Sequence, residues 1–176
     1  AAFLERWLKP GMTAIDIGAN FGFYSLLLAR RLAPHGQVFA YEPGSEPRAL
    51  LMRSRNINQA DNLHVIAKAL SDSEREGNLV LGATSELNSL GGSGPGENVQ
   101  ISCLNLEDGT RGWASVDFIK IAAEGEEERI LRRTLMWRPF IVDLWDTRLP
   151  PKQLRSFRIE FPAAGKAAAV EAVVRY

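Results

Sequence analysis

The stretch from Ala14 to Tyr24, Ala-Ile-Asp-Ile-Gly-Ala-Asn-Phe-Gly-Phe-Tyr, constrains this chain more than any other. A short apolar run enters a turn carrying Gly18 and Gly22, and a second apolar run, Phe23 to Ala33, follows at helical length. That order reads as strand, glycine turn and helix. Glycine reaches positive φ and puts no side chain in a ligand's way. The helix N-terminus aims unpaired N–H groups and the positive end of its dipole at whatever occupies the turn. In open α/β sheets this first crevice receives nucleotide-like ligands.

Spacing narrows the ligand. Dinucleotide turns read Gly-x-Gly-x-x-Gly, so that backbone can approach a pyrophosphate. Here the order is Asp16-x-Gly18-Ala19-Asn20-x-Gly22. Asn20 crowds a pyrophosphate, and the Asp16 carboxylate repels one. A carboxylate and an amide suit a zwitterionic amino-acid group instead, which S-adenosyl-L-methionine carries beside its adenosine. The other reading is a plain structural corner with a buried Asp16.

The second strand, Gln37 to Tyr41, ends in Glu42-Pro43. An acidic residue roughly 20 positions after the glycine turn accepts from the ribose hydroxyls in nucleotide-binding α/β folds. A solvated strand-end carboxylate is the alternative. Ala69-Leu70-Ser71-Asp72 follows a third strand, Leu63 to Ala67, and sits at the ligand side of the sheet. Leu70 there suits an adenine face and Ser71 its edge, unless the four residues form a simple turn.

The chain has 176 residues, suiting one domain over 1–176, either whole or cut from a longer chain. Lys plus Arg and Asp plus Glu both number 21, so no broad electrostatic affinity for nucleic acid or membrane is expected. No apolar run has the length to span a bilayer. The single cysteine, Cys103, excludes an intrachain disulfide and a multi-cysteine metal site, and the compartment expected is cytoplasmic.

Further expectations concern organisation. Ala2 to Leu8 reads as a short helix, and Glu46 to Ile57 as the second long one. Asn78 to Leu81 and Val99 to Ile101 read as strands flanking Gly82 to Asn98, either a lid beside the acceptor or a hairpin tip. Val116 to Ala122 is apolar enough for a strand buried on both faces. A helix follows over Glu126 to Leu135, where Glu126 and Glu128 suit its dipole. Phe140 to Leu144 reads as a fifth strand, ending near Asp143, Trp145 and Asp146. Phe157 to Phe161 and Ala169 to Val174 read as a closing strand pair, with Ala163 to Ala172 alternatively helical. His35 falls in a distant loop and His64 in a strand with a structural role.

In order, the glycine-turn stretch, Tyr41-Glu42-Pro43, Asn56-x-Asn58, Ala69-Leu70-Ser71-Asp72, and Phe118-Ile119-Lys120-Ile121 with Glu124-Gly125 and Glu127 resemble FkbM-type methyltransferases. The resemblance runs from about Met12 to about Leu135. It implies a Rossmann-like class I methyltransferase fold: a mostly parallel seven-stranded α/β sheet, helices on both faces, and an antiparallel last strand. It implies S-adenosyl-L-methionine as cofactor and O-methylation of a sugar or natural-product hydroxyl. By that resemblance Asp16, Gly18, Ala19, Asn20 and Gly22 hold the methionine end, Glu42 and Pro43 the ribose, and Leu70 and Ser71 the adenine. Lys120 and Glu124 match the motif beside the methyl-transfer point.

Two departures stand out. The family reads Lys-Ile-Asp-Val-Glu-Gly where this chain has Lys120-Ile121-Ala122-Ala123-Glu124-Gly125, and it tends to carry Asp where Asn105 stands. Glu124 is the expected base or acceptor-positioning group. Lys120 is expected to lower an acceptor's pKa or to pair with Glu124. No resident metal is expected, with Asp117, Glu124 and Asp143 the remaining oxygen donors for a hard cation. The lost carboxylates carry an alternative: a catalytically impaired S-adenosylmethionine-binding interaction module. A nicotinamide oxidoreductase is a third reading, opposed by Asn20.

Overall fold

The computed structural model describes residues 8–91, 93–104, 116–134, 142–144, 154–163 and 166–175, with side chains placed up to residue 131. The first strand, β1, spans Thr13–Ile17 and is followed by helix α1, Phe23–Leu32. Strand β2 is Gln37–Tyr41, helix α2 is Ser45–Ile57, and strand β3 is Leu63–Ile66. A side arm follows: β4 (Ala69–Ser71), β5 (Arg75–Val80), β6 (Ser89–Leu90) and β7 (Gly96–Cys103). The main sheet resumes with β8 (Phe118–Ile121), helix α3 (Glu127–Thr134) and β9 (Val142–Leu144). Strands β10 (Leu154–Ala163) and β11 (Lys166–Arg175) form an antiparallel pair.

The main sheet has the order β3-β2-β1-β8-β9, and every pair in it is parallel. The order reverses between β1 and β8. Right-handed crossovers then place α1 and α2 on one face and α3 on the other. Strand alternation sorts the core accordingly. Ala14, Val38, Ala40 and Phe118 cluster with Leu28, Leu32 and Leu51 from the first two helices. Ile15, Ile17, Phe39, Tyr41, Ile119 and Ile121 cluster with Ile130 and Leu131 of α3. Buried residues Ser25, Leu28, Ala29 and Leu32 fall on one stripe of α1, and Arg30 and Arg31 close it at the negative end of its dipole.

The parallel sheet covered by helices on both faces is the Rossmann-like architecture that the resemblance implies, and the five described parallel strands precede the antiparallel closing pair. Lys166–Arg175 is a strand, so the helical alternative for the alanine-rich segment falls. Its register pairs Ala167, Ala168 and Ala169 with Pro162, Phe161 and Glu160. Ala69–Ser71 is also a strand rather than a turn, because it finds a parallel partner in Ile101–Cys103. The arm strands are longer than their apolar stretches suggest: polar Arg75 to Asn78 pair with Asn98 to Ile101 across an antiparallel ladder. The expected helix over Ala2 to Leu8 lies outside the described residues except for the buried Leu8. Asn105, Phe140, Trp145 and Asp146 also lie outside them, as does the side chain of Asp143.

Leu28 is fully buried between α1 and the sheet, whereas Ile57 at the end of α2 is 71% exposed. Urea titration is expected to show Leu28→Ala destabilised by about 2–5 kcal/mol. Ile57→Ala is expected to stay within about 0.5 kcal/mol of the parent.

Candidate active site

The switch between β1 and β8 opens onto a cavity of about 300 Å³ at the C-terminal ends of the strands. This is where ligands bind in open α/β sheets. Its floor is the glycine turn. The N–H groups of Gly18 and Ala19 both donate to Tyr41 O at 3.0 Å, which ties the turn to the end of β2. Gly18 (φ 70°), Asn20 (φ 50°) and Gly22 (φ 89°) all lie in the left-handed region. A Cβ on Gly18 would lie 1.8 Å from Ala122 O, so the turn passes against the end of β8 with no room for a side chain.

Glu42 is buried and fixed at both oxygens. Its Oε2 accepts from the Asn20 N–H at 2.7 Å and its Oε1 from the Gly44 N–H at 2.9 Å. Burial raises its pKa above 4.5, and the two backbone donors oppose that rise. Each oxygen keeps a second lone pair for a hydroxyl. Pro43 lies beside Glu42 in the wall, and its carbonyl accepts from Arg48.

Asp16 and Lys120 are register partners on adjacent strands, and both point toward α1. The Lys120 ammonium stands 2.9 Å from Asp16 Oδ1 and donates to Gly18 O at 2.9 Å. The ion pair lies off hydrogen-bond geometry, so Oδ1 has no directional partner, while Oδ2 accepts from Ser25 Oγ at 2.6 Å. The Tyr24 ring lies 5.4 Å from the ammonium. Lys120 therefore pairs with Asp16; pairing with Glu124 was one of the two roles expected for it.

The loop after β8 carries Glu124 at φ 35°, an uncommon conformation for a residue with a Cβ. Glu127 fastens it: Oε1 accepts from Ala123 N–H at 3.0 Å and Oε2 from Gly125 N–H at 2.8 Å. Glu126, expected to serve only the helix dipole, is buried, pairs with Arg129 at 3.1 Å and accepts from Ser71 Oγ.

Eight of the sequence-derived site residues line the cavity: Gly18, Ala19, Asn20, Glu42, Pro43, Leu70, Lys120 and Glu124. Three stand behind it. Asp16 is fully buried under Lys120, Gly22 faces Leu51, and Ser71 is buried against Glu126. The arm segment Gly82 to Asn98, expected as a lid beside the acceptor or a hairpin tip, does line the cavity; sequence reasoning missed the particular residues and the contribution of Leu79. Leu79, Ser85, Asn88 and Leu90 reach the cavity, and Ser85 Oγ donates to Asn20 Oδ1 at 2.9 Å. The strand at Asn78 to Leu81 was legible, but nothing local signals where its far end folds back. His64 stacks on Phe39 with centroids 5.0 Å apart and pairs with Gln37, a structural role away from the cavity. Asp117 accepts from Thr13 N–H at the opposite end of β8 from Glu124, so these two carboxylates cannot share an ion.

A doubly wound sheet with a glycine turn, a buried carboxylate fixed by two backbone N–H groups and a cavity at the switch point defines a Rossmann-like cofactor-binding protein. Residues 16–153 match the methyltransferase FkbM domain model, and the chain belongs to that family. S-adenosyl-L-methionine is the cofactor that goes with it. A 70-residue stretch is 40% identical to the AMB antimetabolite synthetase AmbE of Pseudomonas aeruginosa, covering 39% of this chain and 3% of that protein's length. Two solved structures share the fold. One is a beta-aspartate methyltransferase from Plasmodium falciparum in complex with S-adenosyl-L-homocysteine (14% identity, 99% of this chain, 66% of that one, TM-score 0.52). The other is precorrin-6y C5,15-methyltransferase from Geobacter metallireducens (12% identity, 97% and 81%, TM-score 0.50). The residues present fit the cofactor: a fixed carboxylate for the ribose diol and buried Leu70 for the purine.

Gly18→Ala places a methyl group into Ala122 O and holds alanine at φ 70°. The expected outcome is a stability loss above about 2 kcal/mol by thermal unfolding, together with loss of cofactor binding by titration.

Proposed function

We propose that the chain binds S-adenosyl-L-methionine in the cavity between β1, β2 and β8 and methylates a hydroxyl on a sugar or natural-product acceptor. The reading takes residues 1–176 as one cofactor-binding domain. The observation that carries it is Glu42, buried in the wall beside the glycine turn with both oxygens fixed by backbone N–H groups. A carboxylate held in this way is preorganised for two adjacent hydroxyls. The likeness of 70 residues to part of an antimetabolite synthetase supports a natural-product acceptor. Equal numbers of acidic and basic residues favour a small molecule or glycan over nucleic acid. A cytoplasmic site of action accords with the free thiol of Cys103. Among the described residues no helix is long and apolar enough to cross a membrane.

The bound cofactor supplies an electrophilic methyl group on a sulfonium, so the protein's work is orientation and proton management. Glu124 lines the cavity on a loop that Glu127 clamps at two N–H groups, and it is the carboxylate placed to accept the acceptor's hydroxyl proton or to orient that hydroxyl. Lys120, held by Asp16, lines the same cavity as a fixed positive charge. Ala122 in the same wall, where the family carries a carboxylate, favours one second reading: an interaction module that binds the cofactor without turnover.

Calorimetric titration with S-adenosyl-L-methionine, with NAD as control, is expected to show saturable binding of the former alone. Folded protein that binds neither sinks the proposal, and cofactor binding without methyl transfer across a broad hydroxyl screen selects the second reading. Once an acceptor is found, Glu124→Gln is expected to lower kcat about 100-fold or more with little change in cofactor affinity.

The raised pKa of Glu42 sets a pH dependence. Hydroxyls donate to the ionised carboxylate, so affinity is full above the folded pKa and falls as pH drops through it. The apo protein responds in the opposite sense. A carboxyl whose folded pKa exceeds 4.5 binds more protons folded than unfolded, so its contribution to stability declines as pH rises from 4.5 through the folded value. Titrations from pH about 4.5 upward are expected to show this, and Glu42→Gln to weaken binding about ten- to hundredfold and flatten the profile.

A further inference from the structure

Lys120 is a lysine that is nine-tenths buried yet opens onto the cavity, with 7% of its surface exposed. An ammonium has three N–H donors. Among the described residues its oxygen partners are two: Asp16 Oδ1 and Gly18 O, each at 2.9 Å. Both lie on β1 or at its end. Tyr24 offers only a ring face, 5.4 Å away. With two oxygen partners for three donors, the ammonium keeps at least one N–H for whatever enters the cavity above the glycine turn.

Charge placement says what that is. The carboxylates in the wall are Glu42, Glu86 and Glu124, and the cations are Lys68 and Lys120. Glu42 stands on the β2 side, and Lys68, between β3 and β4, is tied to it through Ile66 O, which accepts from the N–H groups of both. Lys120 is on β8, across the switch point, on the far side of the glycine turn. A ligand whose diol meets Glu42 and whose body follows the turn brings its other end to Lys120. Ala122, the next wall residue just past the end of that strand, offers no competing carboxylate. Asp16 cannot meet an amino group directly, because it is fully buried with one oxygen on Ser25 and the other on Lys120.

We infer that Lys120 anchors the carboxylate of the cofactor's methionyl end, with Asp16 as its built-in counter-ion. The inference rests on the proposed cofactor reading and deepens it: Asp16 acts through Lys120 rather than on the ligand. Asp16 holds the ammonium in place, and the Gly18 carbonyl stops it from swinging out.

The test is a comparison of ligands by calorimetry: S-adenosylhomocysteine, its decarboxylated analogue, and methylthioadenosine, which lacks the amino-acid portion. The parent protein is expected to prefer S-adenosylhomocysteine over the decarboxylated analogue by about ten- to hundredfold. Lys120→Met alone leaves a buried carboxylate uncompensated, so the working variant is the double change Asp16→Asn with Lys120→Met, its fold checked by circular dichroism. That variant is expected to bind the two ligands equally and methylthioadenosine as the parent does. In the unaltered protein, isotope-labelled lysine is expected to show the Lys120 ammonium resonance moving with S-adenosylhomocysteine and not with the decarboxylated analogue, which keeps the idea testable even if the double variant fails to fold. A folded double variant that retains the preference overturns the inference, as does Lys68→Met abolishing it. A parent protein that binds S-adenosylhomocysteine no better than its decarboxylated analogue overturns the inference while leaving the cofactor reading standing. A parent that binds none of the three overturns both.

Discussion

The contact on which the rest of the site depends is the ion pair between Asp16 and Lys120, drawn across the reversal point of the sheet. Both residues occur on strands whose neighbours in register are Ala14 and Phe118, in the middle of an apolar layer. Two charges there are costly to desolvate, and a well-packed apolar pair would serve stability at least as well. Breaking such a pair from one side typically costs about 3–5 kcal/mol, because the remaining charge is stranded. A buried pair of this kind is weak evidence for stability and better evidence for positioning. It fixes β1 against β8 in register and sets an ammonium under the turn where Gly18 gives up its carbonyl.

From that point the geometry of the cavity propagates outward through backbone. The Gly18 turn can lie against Ala122 O only because it lacks a Cβ. The same turn hangs from Tyr41 O, so the end of β2 and the end of β8 are held to one short segment. Glu42 then takes the N–H of Asn20, and Asn20 takes the hydroxyl of Ser85 from the arm. A chain of hydrogen bonds thus runs from Glu42 to the arm segment that lines the cavity. A second tie, Glu97 accepting both the N–H and the hydroxyl of Ser45, seats the arm on the N-terminus of α2. The arm is therefore part of the site's frame, although its own core is only Ala69, Leu79, Val99 and Ile101 with Leu90 beside them.

What could be read in the sequence divides along this line. The main sheet was legible because its strands are short apolar runs bounded by Gly, Pro and Asn, and because the glycine turn and Glu42 sit at spacings that suit a nucleotide-type crevice. Asp16 was read as touching the ligand, since type and spacing say nothing about which layer a strand residue faces; that is settled by Ser25 and Lys120, brought to it by α1 and by a strand a hundred residues away. Ser71 and Glu126 were each read against local alternatives, ring edge and helix dipole, and prove to hold each other. The arm strands were underestimated because their pairing depends on cross-strand partners such as Asn78 and Asn98 rather than on apolar alternation.

The departures at Ala122 and Glu124 concern different halves of the cavity. The cofactor half is built from backbone donors, a fixed carboxylate and a neutralised lysine, and none of these requires a carboxylate at position 122. The acceptor half retains one wall carboxylate on that loop, and the chain holds it in a conformation that L-residues seldom adopt. Strain of this kind persists only where the surroundings over-determine it. Here the surroundings are Glu127, which claims the N–H groups on either side of Glu124 and so dictates its position from the first turn of α3. The clamp at two points therefore fixes where the Glu124 backbone stands in the cavity wall, and under the proposed function that is the position of the acceptor-side carboxylate.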